Sequence, residues 1–243
     1  MRWLRYFLKC VLGGFIAMQI YFVMQIGLWA ALNPSSTAFQ RAERWRLCGL
    51  HWSCPVQSSW VPYDKISSNL KRAVLVSEDD IFFQHMGVRV EDMQKAWAKN
   101  QQGNGKSKAA LRGGSTISQQ LAKNLFLSSE QNYFRKAQEL LITGLLETML
   151  SKQRLYEIYL NSVEWGEGIF GIGAASQHYY GISPALLNRE QAAALASALP
   201  APKCFDKAQY CRKANIHFPT RQDFILENMD RVALVPILKH KAR

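Results

Sequence analysis

From Tyr6 to Leu32 the chain is almost wholly apolar, broken only by Lys9, Gln19 and Gln25. The run after Lys9 is long enough for a helix that crosses a hydrocarbon core, which takes about 20 residues. Arg2, Arg5 and Lys9 stand on its N-terminal side. The positive-inside rule keeps that end in the cytoplasm and sends everything else across the membrane. A cleaved signal peptide is the rival reading. Its apolar region would be shorter, about 7–15 residues, and would end in a small-residue site. The stretch "WAALNPSSTA" does contain small residues, but the length of the run favours an uncleaved anchor.

The remainder of the 243 residues suits one domain with a connector. The expected division is a basic tail over residues 1–9, an anchor over 10–32, a connector over 33–61 and a globular domain over 62–243. A formal charge of +12 favours an acidic partner: phospholipid head groups, a phosphate-bearing substrate or nucleic acid. No zinc-finger spacing, RNP motif or basic-region heptad is present, so no nucleic acid is expected. "RAERWR" (Arg41–Arg46) in the connector suits the head-group layer. Cys10 lies in the apolar run, while Cys48/Cys54 and Cys204/Cys211 form two close pairs. An exported domain could make two disulfides of them; free or buried thiols are the alternative.

Helical spacing recurs through the domain. It appears in "YDKISSNLKRAVLVSED", over Val90–Ala98, in "STISQQLAKNLFL", "NYFRKAQELLITGLLETMLS" and "KQRLYEIYLNSVEW", and over about Thr220–Leu234. Thr116 with Gln119 makes a capping box, and Asn188 caps "REQAAALASAL" before Pro200 and Pro202. The segment Lys99–Ser115 is polar with four glycines and reads as a mobile loop. No repeat and no alternating strand pattern is visible, so the domain is expected to be mainly α.

Three stretches carry groups able to do chemistry. In "VSEDDIFFQHMGV" (Val76–Val88) a carboxylate follows an apolar helix face beside Phe82 and Phe83. A general base or acid could be made there if those rings pack over it; a solvated acidic turn is the plain alternative. In "FRKAQE", Arg135 and Lys136 lie four and three residues before Glu139, either a salt-bridged surface or a phosphate-binding fork with its own carboxylate. In "RGGSTISQQLAKN", glycines precede a helix N-terminus, a place that favours anions.

Taken together and in this order, the E-D-x-x-F-F-x-H-x-G segment, G-G-S-T-I-x-Q-Q-L-A-K-N, R-K-x-x-E, "KQRLYEIYLN" and "GIGAASQHYYG" resemble the peptidoglycan glycosyltransferases. That family is shared by bifunctional penicillin-binding proteins and monofunctional biosynthetic transglycosylases. About forty residues follow Pro202, too few for a penicillin-binding domain, so the monofunctional form is the closer match. The resemblance implies a lysozyme-like helical glycosyltransferase domain with a small membrane-proximal lobe, its motifs within 74–202. It implies a periplasmic domain anchored in a bacterial inner membrane, where lipid II is joined to a glycan chain carried on undecaprenyl pyrophosphate, for cell-wall biogenesis and cell shape.

By the same resemblance, Glu78 is the general base and Glu139 assists at the departing pyrophosphate, directly or through a divalent cation. Lys123, Arg135 and Lys136 bind that pyrophosphate. Ser115, Thr116, Gln119, Gln120 and Asn124 line the donor side. Asp79, Phe82, His85 and Gly87 shape the cleft on the substrate. No tightly bound cofactor is implied, though Mg or Mn is a candidate stimulant. Membrane lipids, penicillin-binding proteins and division proteins are candidate partners. Leu155, Tyr156 and Tyr180 depart from the residues the family commonly carries, mildly, because all stay apolar or aromatic. A lytic, glycan-cleaving enzyme and a non-catalytic scaffold of the wall-synthesis machinery are the rival readings. The first would have no use for the Lys123, Arg135 and Lys136 cluster, and the second would tolerate loss of Glu78 and Glu139.

Overall fold

The computed structural model describes residues 2–49, 56–89, 115–128, 130, 133–213 and 216–234. The helix expected over Val90–Ala98 and the loop expected over Lys99–Ser115, except Ser115 itself, lie outside these residues, as does Cys54.

The apolar run forms one helix, α1 (Arg2–Trp29). At 1.5 Å per residue it is about 42 Å long, enough to span a bilayer core. Most of its large apolar side chains are exposed, but Phe22, Ile26 and Trp29 are buried. Their spacing of four and three residues makes a stripe that docks on the body. Phe22 and Trp29 pack on Phe126, with ring centroids 4.9 and 5.0 Å away. The side-chain amides of Gln19 and Gln138 exchange hydrogen bonds at 3.2–3.3 Å, so Gln19 is satisfied rather than stranded in an apolar face. Arg154 fixes the helix end by donating to the carbonyls of Trp29 and Leu32 at 2.9 and 2.7 Å.

The connector is more ordered than its composition suggests. Residues Ala38–Cys48 form helix α2, closed by a capping box between Thr37 and Gln40. Glu43 on this helix is buried, and Arg46 and Lys203 pair with it at 2.6 and 2.7 Å. Arg46 also reaches Glu167 at 2.6 Å. Within "RAERWR", Glu43 and Arg46 tie the connector to the domain, while Arg41, Arg44 and Trp45 are exposed.

The body is mainly helical: α3 (Ser68–Glu78), α4 (Ile117–Phe126), α5 (Tyr133–Met149), α6 (Lys152–Ser162), α7 (Gly171–Tyr180), α8 (Arg189–Ala198), α9 (Pro202–Asp206) and α10 (Phe218–Asn228). Helices α3, α8 and α10 pack together, and α4 packs against α5 and α6. Leu70, Leu75, Phe82, Ile117, Leu121, Tyr156, Tyr159 and Trp165 lie in the continuous core between them. The capping boxes at Thr116/Gln119 and Asn188/Gln191 both form. The last helix is shorter than its periodicity suggests, giving way to a 3-10 turn over Met229–Arg231.

Three short strands interrupt the helices: β1 (Gln57–Ser58), β2 (Glu164–Gly166) and β3 (Ile169–Phe170). β3 lies in the middle, parallel to β1 and antiparallel to β2. Strands of two or three residues are too short to show alternation in the sequence. Gly171, at φ +77, turns the chain from β3 into α7, and a Cβ there would stand 2.5 Å from the Asn161 carbonyl oxygen. Cys204 and Cys211 form a disulfide. Cys48 is also disulfide-bonded.

Beside that disulfide, burial pushes the Glu164 carboxyl up to about 7, and Glu43 adds to the rise against the pull of Lys203 at 3.5 Å. Folding therefore favours its protonated form. That contribution is complete below the ordinary value near 4.5 and is lost as pH rises to about 7. Glu164→Gln is expected to remove a loss of about 3 kcal/mol between those pH values, read as the difference in melting curves of the two proteins. Identical pH dependence in both would contradict this.

Candidate active site

Glu78 is the last residue of α3, so its carboxylate is delivered at the point where the helix ends and the chain turns toward α4. Its Oε2 accepts from the Gln120 side-chain amide at 2.9 Å. Gln120 lies on α4, and its own Oε1 accepts from the Tyr159 hydroxyl on α6 at 3.1 Å. Burial holds Tyr159 well above the ordinary tyrosine range, and Glu78 and Asp79 add to that. Tyr159 thus keeps its proton, which fixes the amide of Gln120 with its N–H toward Glu78.

The neighbouring carboxylate does different work. Asp79 is buried, accepting from the Ile117 backbone N–H at 3.1 Å and from His85 Nε2 at 2.9 Å. A carboxylate on the first backbone N–H of α4 satisfies one of the helix's open donors and suits its dipole. The His85 Nδ1 accepts from the Gly87 N–H at 3.0 Å, which puts the ring's proton on Nε2, facing Asp79. Gly87 itself passes under α5 at φ +80, and its carbonyl accepts from the Thr116 hydroxyl at 2.6 Å. A Cβ at Gly87 would meet Thr143 Cγ2 at 2.7 Å and Glu147 Cγ at 2.8 Å. Gly87→Ala is expected to cost about 1–3 kcal/mol of stability. Thermal melts that match the wild type would show that the turn relaxes freely.

Beyond Gln120 the site opens into a cavity of about 160 Å³, lined by Ser115, Gln119, Gln120, Lys123, Arg135, Lys136 and Glu139. Glu139 is buried at its floor, with Arg135 Nη1 on one oxygen at 2.7 Å and Lys136 Nζ on the other. These are the i,i+4 and i,i+3 pairs of α5, so the helix itself sets the fork. Burial holds the Lys123 ammonium below the ordinary lysine range; Glu139 and Glu78 oppose this, and Arg135 and Lys136 reinforce it. Three cations thus converge on one carboxylate. The surplus is positive, and an arriving anion would relieve the repulsion among them.

Of the residues named from the sequence, Ser115, Gln119, Gln120, Lys123, Arg135, Lys136 and Glu139 come together in the cavity, and Gln120 joins Glu78 to them. Asp79, Phe82, His85, Thr116 and Asn124 do not line it. Asp79, Phe82, Thr116 and Asn124 are buried, and the His85 side chain is 10% exposed. They stand behind or beside the cavity, where Asp79 and Thr116 fix the start of α4 and Phe82 belongs to the core. Phe82 and Phe83 also turn to Tyr156, with ring centroids 5.6 and 6.1 Å away. Tyr159, Ser77 and Arg221 touch the site without having been marked by the sequence. Tyr159 lies within "KQRLYEIYLN" but carries no assigned role there, and Arg221 approaches Ser77 from 144 residues away.

The donor set at Glu139 does not fit a resident divalent cation. Both its oxygens are taken by cationic donors, and no group of three His, Cys, Asp or Glu side chains converges among the described residues.

Residues 50–230 match the model of the transglycosylase family. Curated relatives named biosynthetic peptidoglycan transglycosylase are similar over most of the chain. One from Cupriavidus metallidurans is 58% identical, covering 96% of this chain and 99% of its own. One from Ralstonia nicotianae is 52% identical over 97% and 99%. One from Burkholderia thailandensis is 51% identical over 84% and 78%. With a family match over more than half its length and relatives this similar, the chain belongs to the transglycosylase family.

Proposed function

We propose that the protein polymerises peptidoglycan glycan chains, joining lipid II disaccharide units with release of undecaprenyl pyrophosphate. The observation that carries this is the cavity itself: Lys123, Arg135 and Lys136 around the buried Glu139, one glutamine away from Glu78. The leaving group of this reaction is a pyrophosphate whose negative charge grows as the sugar departs. Fixed cations at that end stabilise the transition state more than the ground state.

Glu78 takes the proton from the acceptor sugar's 4-hydroxyl, which attacks the anomeric carbon on the face opposite the departing pyrophosphate. Inversion follows from that geometry. Glu139 holds the forked cations Arg135 and Lys136 in place for the pyrophosphate. The anchor keeps the site in the plane where both lipid-tailed substrates diffuse. The positive flank of α1 and the Cys204–Cys211 disulfide support a cytoplasmic N-terminus and a domain on the oxidising, periplasmic side of the inner membrane.

Full-length protein in detergent, given lipid II, is expected to release lipid pyrophosphate in step with glycan polymer. Shortening of preformed glycan with no pyrophosphate release would instead mark a lytic enzyme.

A further inference from the structure

We infer that Arg221 is a positioning residue for Glu78, an inference that rests on Glu78 being the base. Glu78 ends α3, where the helix dipole places partial negative charge, and α3 has no basic residue in its last turn. A carboxylate there needs a cation from elsewhere. Helix α10 supplies it: Arg221 Nη2 lies 3.8 Å from Glu78 Oε1 and donates to Ser77 Oγ at 3.0 Å.

Ser77 is the coupling piece. Its hydroxyl lies 2.9 Å from Glu78 Oε1 and 2.9 Å from the Ala196 carbonyl. A hydroxyl has one proton and two lone pairs. Arg221 fills a lone pair, which leaves the proton to the two acceptors. The carboxylate is thus approached at both edges: Oε2 accepts from Gln120, whose own oxygen is held by Tyr159, and Oε1 faces Ser77, with Arg221 3.8 Å away. The Arg221 Nε is buried with no hydrogen-bond partner among the described residues. The Arg221 Nη2 faces the α3 end, toward Ser77 and Glu78. The packing of α10 on α3 and α8 brings Arg221 to this position.

Arg221 also walls a second cavity of about 270 Å³ with Val76, Ser77, Thr220, Phe224 and Ile225. A direct substrate contact in that cavity is the competing role, and kinetics separate the two. Full-length Arg221→Gln and Arg221→Lys are assayed on lipid II alongside Glu78→Gln. A displaced base costs chemistry rather than binding, so Arg221→Gln is expected to lower kcat about 100-fold with KM nearly unchanged. Arg221→Lys restores the cation and recovers about tenfold of that loss. In a Glu78→Gln background, Arg221→Gln removes nothing more from the residual rate.

A raised KM at unchanged kcat would overturn the inference in favour of substrate contact. A loss that lysine does not rescue, with reduced helical circular dichroism, would overturn it in favour of a purely structural role. Dead Glu78→Gln beside unimpaired Arg221→Gln overturns this inference alone. Glu78→Gln with the wild-type rate overturns the base assignment and this inference with it.

Discussion

Glu78→Gln lowers the rate of lipid II consumption by about 10²–10⁴-fold, the range general-base catalysis supplies. The size follows from how little else the substitution disturbs. Glu78 is held by the Gln120 amide at 2.9 Å and by Ser77 at 2.9 Å. A glutamine side chain keeps an oxygen for the Gln120 N–H and fills the same space. What it loses is the capacity to take a proton. The check is an initial-rate assay with fluorescent lipid II, paired with circular dichroism to show the helices intact. A loss smaller than about tenfold would leave too little for a general base.

The second large effect is expected at the other end of the site. Lys123→Met removes one of the three cations without stranding a buried carboxylate, because Glu139 is bonded by Arg135 and Lys136. The methionine fills most of the lysine's volume, so packing on α4 survives. Removing a charge aimed at developing negative charge in a shielded site costs about 10²–10³ in rate. Affinity for a lipid pyrophosphate should fall as well. Burial and the two neighbouring cations hold Lys123 below the ordinary lysine range, and bound pyrophosphate would draw its proton back on. Product-release kinetics and competition by a lipid pyrophosphate measure both effects. Unchanged kcat/KM and unchanged competition would remove Lys123 from the leaving-group site.

Much of the helical scaffold was legible because its signals are local. The Thr116 capping box and the Asn188 cap form as read, and the spacing of Arg135, Lys136 and Glu139 does make a fork. Spacing alone could not say that Glu139 is 2% exposed, which is what separates a binding fork from a surface ion pair. The Thr37/Gln40 box was equally readable and marks α2, but the surrounding polar composition hid it. The strands escaped for want of length. Within the site, the division of labour between adjacent carboxylates was not readable. Glu78 and Asp79 differ only in where the end of α3 points them, Glu78 toward Gln120 and Asp79 toward the N-terminus of α4. The Tyr159 and Arg221 contacts depend on packing between distant segments, which no short motif encodes.

The most direct test compares wild type and Glu78→Gln on the same lipid II in one experiment, with products resolved on a gel. Long glycan from the wild type and none from the folded variant is the predicted result. Glycan of equal length and amount from both would contradict the assignment of Glu78 as the base.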